Sequence, residues 1–481
     1  MLLIKVGDQK LSMLFGRFSL FVFFCIASSV YGDFEKFHKQ FVPPIQQFQS
    51  KKDLKIQTEL KKEWKGYKSI KTASLYSEMK LQKIPKREQY PVQNVGPLVF
   101  IQTDENRTRS LEYTTPELMF NGDTSVEFFG SKFYFSVNTI IKEARFYPYN
   151  QDGIASYFSV LAASDYQEIL KEIKEIQKAY KLNDWGVYQL VNKLSSVIYK
   201  QEDEKELFQW FVFQKLGYDI KVALAGEHVY SIYAIKQKLY DAIKIRYQKK
   251  DYYFLSASAP SNTLVYVHNE IMKKDMRSFD FSLKELPLLQ KNYKVKMIEF
   301  EEESKKYKIS LKYNQNMIDF YKTYPQVEFS VFLNAPMEEV TYNSLVESLK
   351  DHINGMKTNK ALNFLLHFVQ KSFGYKRDIE QFHKEKIMFA EETLFYQYSD
   401  CEDRVVLYSY LVKKLFDIDV YALKYSNYMA TALYIPLNGD GFMIGSKKYI
   451  VADPTYINAN IGISMPMYKG KRPQEYIRLQ K

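Results

Sequence analysis

Cysteine is nearly absent from this 481-residue chain, which has two, Cys25 and Cys401. Cys25 lies inside a leading apolar run, so a chain that sheds that leader keeps one thiol and can form no internal disulfide. Histidine is scarce too. The six histidines are scattered without the paired spacing of a zinc-binding helix, and one cysteine cannot build a thiolate site. No metal and no cofactor is expected. A basic stripe interleaved with aromatics is also missing. The formal charge is +12, of which the first 32 residues (Lys5, Asp8, Lys10, Arg17) carry +2, and runs such as "KKEWKGYK" are balanced by "EFEEESKK". No nucleic-acid partner is expected. "GDGFMIG" (Gly439 to Gly445) superficially resembles a phosphate loop but lacks the Lys-Ser/Thr pair that would bind phosphate, and reads as a hairpin turn.

What is present in excess is ring-bearing and apolar: 40 tyrosines and 35 phenylalanines, with hydrophobic residues at 46% and charged residues at 26%, a composition that packs large cores and suits strands. The longest apolar stretch opens the chain. "MLFGRFSLFVFFCIASSVYGD" has a basic lead at Arg17, an apolar run from Phe18 to Ala27 and small residues at Val30 and Gly32. This is the pattern of a secretory signal peptide with cleavage after Gly32, and Met13 makes a better start for it than Met1. The run is too short to span a bilayer. The expected location is periplasmic or secreted, with no stable membrane span after cleavage. "NRT" at Asn106 matches a glycosylation sequon.

After the signal peptide (1–32), residues 33–95 form a polar lead-in. Segment 96–150 is β-rich, with "GPLVFIQ" and "TSVEFFGSKFYFSV" as strands and a turn at Gly130. Segment 151–285 is helical, then stranded. Its "ELFQWFVFQKLGYDIKVALAGEHVYSIYAI" recurs weakly about 200 residues on as "RVVLYSYLVKKLFDIDVYALKYSNYMATALYI", which sets His228 opposite Tyr428 and suggests a degenerate repeat. Segment 286–339 alternates as a small β-domain ("YKVKMIEF", "KYKISLKY", "VEFSVFLNAP"), and 340–481 forms the last domain. The fold class is α+β.

Cys401 stands at the start of an apolar helix in "YSDCEDRVVLYSYLVKKLF". A helix N-terminus favours thiolate, but Asp400, Glu402 and Asp403 oppose it. The same residues fit a plain buried thiol. A nucleophile needs a base and the base an orienter. "YSDCEDRVVLYSYLV", "YMATALYI", "YIVADPTYINANIG" and "LLHFVQKSFGYKRDIEQFHKEKIMFAEETLFY" resemble secreted bacterial proteins of the transglutaminase-like group, among the papain-like cysteine hydrolases, over residues 340–468. The resemblance implies a Cys helix packed on an antiparallel sheet and a Cys–His–Asp triad, with Cys401 as nucleophile and Asp453 as orienter. The histidine position holds Tyr428, and no histidine follows His383. Three readings stay open. The chain is a degenerate member with a binding or scaffolding role; or His383, or His228 from the upstream repeat, supplies the base; or Cys401 does acyl transfer or redox chemistry with Tyr428 as a hydrogen-bond partner, and an active enzyme would be a peptidase, amidase or acyl transferase. The partner is a peptide or protein amide.

Overall fold

Several helices start on a side-chain cap. In the computed structural model, which describes residues 50–75, 80–101, 114–268 and 276–480, Ser50 Oγ accepts the amide of Asp53 at 3.2 Å, Asn150 Oδ1 that of Asp152 at 2.9 Å, and Asn183 Oδ1 that of Gly186 at 3.0 Å. The signal-peptide reading, Cys25 and the sequon at Asn106 lie outside the described residues. No helix among the described residues is long and apolar enough to cross a membrane.

The elements run α1 (Lys51–Leu60), β1 (Trp64–Lys68), β2 (Ile70–Lys71), β3 (Thr124–Phe128), β4 (Ser131–Phe135), α2 (Thr139–Glu143), α3 (Gln151–Ala163), α4 (Gln167–Ala179), α5 (Asp184–Ile198) and α6 (Glu202–Lys215). Next come β5 (Ile220–Ala225), β6 (His228–Ala234), β7 (Ile243–Tyr247), β8 (Lys250–Phe254), β9 (Leu264–His268), β10 (Tyr293–Glu302), β11 (Lys305–Asn314), α7 (Gln315–Lys322), α8 (Phe329–Leu333), α9 (Glu339–Ile353) and α10 (Thr358–Ser372). The chain closes with β12 (Gly374–Tyr375), α11 (Asp378–Phe382), α12 (Ala390–Phe395), β13 (Tyr398–Ser399), α13 (Cys401–Phe416), β14 (Val420–Lys424), β15 (Met429–Leu433), β16 (Gly441–Ile444), β17 (Lys447–Ala452) and β18 (Glu475–Arg478). The result is mixed α+β with largely antiparallel sheets.

The chain divides into two compact units, Met1–Lys62 with Asn138–Tyr166 and Glu63–Val137 with Gln167–Lys481. In the first, α1 and α2 pack on α3, whose Ile154, Phe158 and Leu161 are fully buried. The second holds both large sheets. One has the order β1-β9-β5-β6-β8-β7-β2. Its two edge strands are consecutive, β1 pairing with β9 and β2 with β7, so the continuous stretch 64–71 joins both edges and the sheet curls into a closed barrel. The other sheet has the order β16-β17-β15-β14-β18.

The two sheets share a plan. Each follows a buried helix, α6 or α13, that packs on its two central strands. The order β7-β8-β6-β5-β9 in one matches β16-β17-β15-β14-β18 in the other. The hairpin registers match as well: Ile220 faces Tyr233 as Val420 faces Leu433, and Ala223 faces Tyr230 as Leu423 faces Ala430. His228 and Tyr428 occupy corresponding places, at the start of the second strand of each hairpin and just before it.

Between them, β10 and β11 form a ten-residue ribbon whose Ile298, Phe300, Ile309 and Leu311 are buried. The outer edge of β11 is closed by two serines one turn apart on α9. Ser344 Oγ accepts the amide of Lys312 at 2.8 Å and Ser348 Oγ that of Ser310 at 3.0 Å.

Three local expectations change. "VEFSVFLNAP" is not a strand: Phe329, Val331, Phe332 and Leu333 are all buried on a short helix, α8, because consecutive burial overrides the strand-like composition. "GPLVFIQ" makes a single bridge, Leu98 to Lys357, instead of a strand. "GDGFMIG" is not itself a turn. Gly441–Ile444 is β16, and the hairpin reverses after it, at Gly445 with φ +61°. The turn expected at Gly130 is present, with φ +86°. Leu411, fully buried in α13, is expected to cost about 3 kcal/mol when changed to Ala, whereas Leu54→Ala on an exposed face changes stability by less than about 0.5 kcal/mol. Denaturant midpoints of the two variants check this.

Candidate functional site

Helix α13 begins in the protein interior, and four consecutive residues at its start, Asp400 to Asp403, carry three carboxyls and a thiol with at most 1% exposure. Its first turn is organised by backbone contacts. The amide of Asp400 donates to Asp403 Oδ2 at 3.1 Å, and Asp403 Oδ1 accepts the amide of Met388 at 2.8 Å, tying the loop after α11 to the helix start. Arg404, fully buried, faces the other way. It donates to the carbonyls of Gln370 at 3.2 Å and Phe373 at 2.7 Å and to Ser399 Oγ at 3.0 Å, so it closes the C-terminal end of α10. Gln370 in turn donates to the carbonyls of Asp453 at 2.8 Å and Ala459 at 3.1 Å, fixing the segment that follows β17.

Around the acids lies a cation from far along the chain. The Lys80 ammonium is 2.7 Å from Asp400 Oδ2, 2.9 Å from Glu385 Oε2 and 3.2 Å from Asp378 Oδ2, and it bonds Glu402 Oε1. Asp378, Asp400 and Asp403, and likewise Asp378, Glu385 and Glu402, are close enough to share a cation, and all of these except Asp403 contact the Lys80 ammonium. Burial works against a charged Lys80, but Asp400, Glu402 and Asp378 outweigh it and raise its pKa. Burial likewise pushes the carboxyls of Glu402 and Asp403 up, with Asp400 adding to both, and that of Asp378 to about 8.

Cys401, Tyr428, Tyr425, Tyr456 and Tyr468 share one buried cluster on the face of the second sheet. The thiol donates to Glu402 Oε2 at 3.0 Å. Burial raises its pKa well above the ordinary thiol range, Glu402 and Asp400 raise it further, and Lys80 opposes them. The helix N-terminus does not prevail against burial and two adjacent acids. Tyr428 is fully buried and stacks on Tyr468, ring centroids 4.6 Å apart at 5°. Its hydroxyl donates to Asp453 Oδ1 at 2.5 Å, and that oxygen also accepts the amides of Thr455 at 3.0 Å and Tyr456 at 3.1 Å. Burial, then the Asp453 charge, pushes the Tyr428 phenol up; burial pushes the Asp453 carboxyl up to about 6.

Position 428 thus bonds the Asp453 carboxylate and shares a cluster with the thiol, but a phenol with a raised pKa takes no proton from a thiol near neutrality. Neither alternative base reaches the site by any hydrogen bond among the described residues. His383 ends α11 in the left-handed conformation, exposed. His228 belongs to the other sheet, 71% exposed, with Asp203 Oδ2 as partner at 3.4 Å. Lys80, Arg404, Gln370 and Asp378 escape sequence reasoning. Lys80 lies in the polar lead-in, where nothing local marks a buried ammonium. His367 also emerges, buried on α10 with Glu302 Oε1 at 2.8 Å. Searches against family models, curated proteins and solved structures find no match to this chain.

Because Asp453 holds its proton to about pH 6 when folded and to the usual 3.8 when not, its ionisation costs stability as pH rises through that window. The cost is about 2–3 kcal/mol. Asp453→Asn keeps the acceptor and removes the titration, so the variant is expected to lose that part of the decline between about pH 4 and pH 6 in unfolding measurements. An unchanged slope would show that Asp453 titrates normally.

Proposed function

We propose that this chain is an exported transglutaminase-like protein of degenerate triad, whose C-terminal domain serves in binding or scaffolding in the cell envelope. One observation carries the reading: the residue bonded to Asp453, where the resemblance requires a histidine, is Tyr428, and the thiol in the same cluster is buried and hydrogen-bonded to the Glu402 carboxyl, so that burial and this carboxyl raise its pKa. General acid–base assistance is worth about 10²–10⁴-fold. Among the described residues no imidazole is hydrogen-bonded to the thiol, and Glu402 and Asp400 disfavour its anion. A helix on an antiparallel sheet hosts binding as readily as catalysis, because function lies in the site and not in the scaffold.

The second reading is thiol-dependent attack by Cys401 on a peptide or protein amide, as peptidase, amidase or acyl transferase. The convergence of Cys401, position 428 and Asp453 on one buried cluster favours it. Its difficulty is the first step: burial, Glu402 and Asp400 make the sulfur hold its proton more tightly than an ordinary thiol, and no imidazole among the described residues is hydrogen-bonded to it to take that proton.

Hydrolysis of a panel of fluorogenic peptide amides and esters by the wild-type chain and by Cys401→Ser separates the two. The binding reading expects equal rates, at background. Turnover that falls by more than about tenfold in Cys401→Ser would establish the enzyme and overturn the reading.

A further inference from the structure

Residues 80–99 cross the second unit as an extended strap held almost entirely by its main chain. The amide of Arg87 donates to the Ile457 carbonyl at 2.9 Å, and the amide of Val99 to that of Met356 at 2.8 Å. Three asparagine side chains take up strap carbonyls: Asn458 that of Arg87 at 2.8 Å, Asn460 that of Tyr90 at 3.2 Å and Asn359 that of Gln93 at 3.0 Å. Main-chain recognition of this kind is indifferent to sequence. The strap's side chains are exposed or half-buried from Leu81 to Ile101, and Lys80 alone is buried. Leu81, beside it, packs on the cluster that contains Cys401 and Tyr428.

This is the geometry of a bound peptide: a backbone laid along a track of amides and carbonyls, with one side chain committed to a deep, specific subsite. The subsite is acidic, shaped to an alkylammonium, and next to the thiol. We propose that the track followed by residues 80–99 is an extended-peptide-binding site whose specificity subsite, formed by Asp378, Glu385, Asp400 and Glu402, takes a lysine ammonium, and that the chain's own strap fills it. The inference rests on the binding reading above and names its ligand class: an extended polypeptide that presents a lysine. The strap is the in-cis competitor. Outside the subsite the strap is held by backbone hydrogen bonds, by Gln89 Nε2 donating to Glu302 Oε1 at 3.0 Å and by Leu81 on the cluster, so Lys80, with its four carboxyl partners, is the main anchor that a ligand must displace.

The test uses the full chain and a fluorescent peptide of the strap sequence, KLQKIPKREQYPVQNVGPLV, together with the same peptide carrying norleucine in place of its first lysine. Lys80→Ala empties the subsite. It is expected to bind the lysine peptide more than about tenfold tighter than the norleucine peptide, because a buried ammonium–carboxylate contact is lost in the latter, while the wild-type chain binds neither. Where Lys80→Ala does not give a folded chain by circular dichroism, Lys80→Gln keeps a donor among the carboxyls while removing the ammonium from the subsite. It is then expected to bind the lysine peptide, with the same preference over norleucine. No binding to the folded variant, or equal binding of both peptides, overturns the inference and leaves the binding reading of the domain standing. Cleavage of the bound peptide that depends on Cys401 would overturn that reading and leave the peptide track and its lysine subsite in place.

Discussion

A buried charge cluster at the start of α13 is the constraint on which the C-terminal half depends. Asp378, Asp400, Glu402 and Asp403 are each at most 1% exposed, and the first three contact one ammonium, Lys80. Charges at that depth cost several kcal/mol each unless they are paired and hydrogen-bonded. Each partner is therefore fixed to its neighbours. Lys80 brings in the strap from about three hundred residues away in sequence. Asp378 and Asp403 bring in the loop between α11 and α12 through the amides of Lys386 and Met388. Arg404, on the opposite side of the same turn, fixes the end of α10. One helix start thus gathers four segments of the chain, and the thiol lies at their centre.

The same cluster decides the chemistry. A helix N-terminus offers roughly half a positive charge to an anion, which would favour thiolate in an open, neutral setting. Here burial and two flanking carboxyls outweigh it, and the sulfur acts as a hydrogen-bond donor to Glu402. Tyr428 completes the picture. It donates to Asp453, stacks on Tyr468, and contributes packing and rigidity to the cluster that holds the thiol.

Much of this arrangement was legible in the sequence. The helix at Cys401 announces itself by its apolar run, and the hairpins after it by β-rich stretches separated by turns. The match in strand order and register between the two sheets accords with the weak similarity of the two stretches, with His228 facing Tyr428. The rest was hidden for physical reasons. Strands β1 and β2, which close the barrel, carry lysines on exposed faces and so resemble a polar lead-in. The run Phe329–Leu333 is apolar at every position but Ser330, and such a run has no clear period to separate strand from helix. Lys80 is the clearest case. A lysine in a polar stretch reads as solvated, and only the carboxylates that the fold delivers from residues 378–402 make it a buried ion.

The central claim is that this cluster keeps Cys401 protonated. The most direct measurement is the pH dependence of alkylation at Cys401 by iodoacetamide in the full, folded chain, followed by peptide mapping. The account predicts modification that is slow throughout the neutral range, with an apparent pKa above the ordinary thiol value of about 8.5, and rapid only on unfolding. An apparent pKa below that value would contradict it, and would mean that a base or cation holds the thiolate in the folded protein.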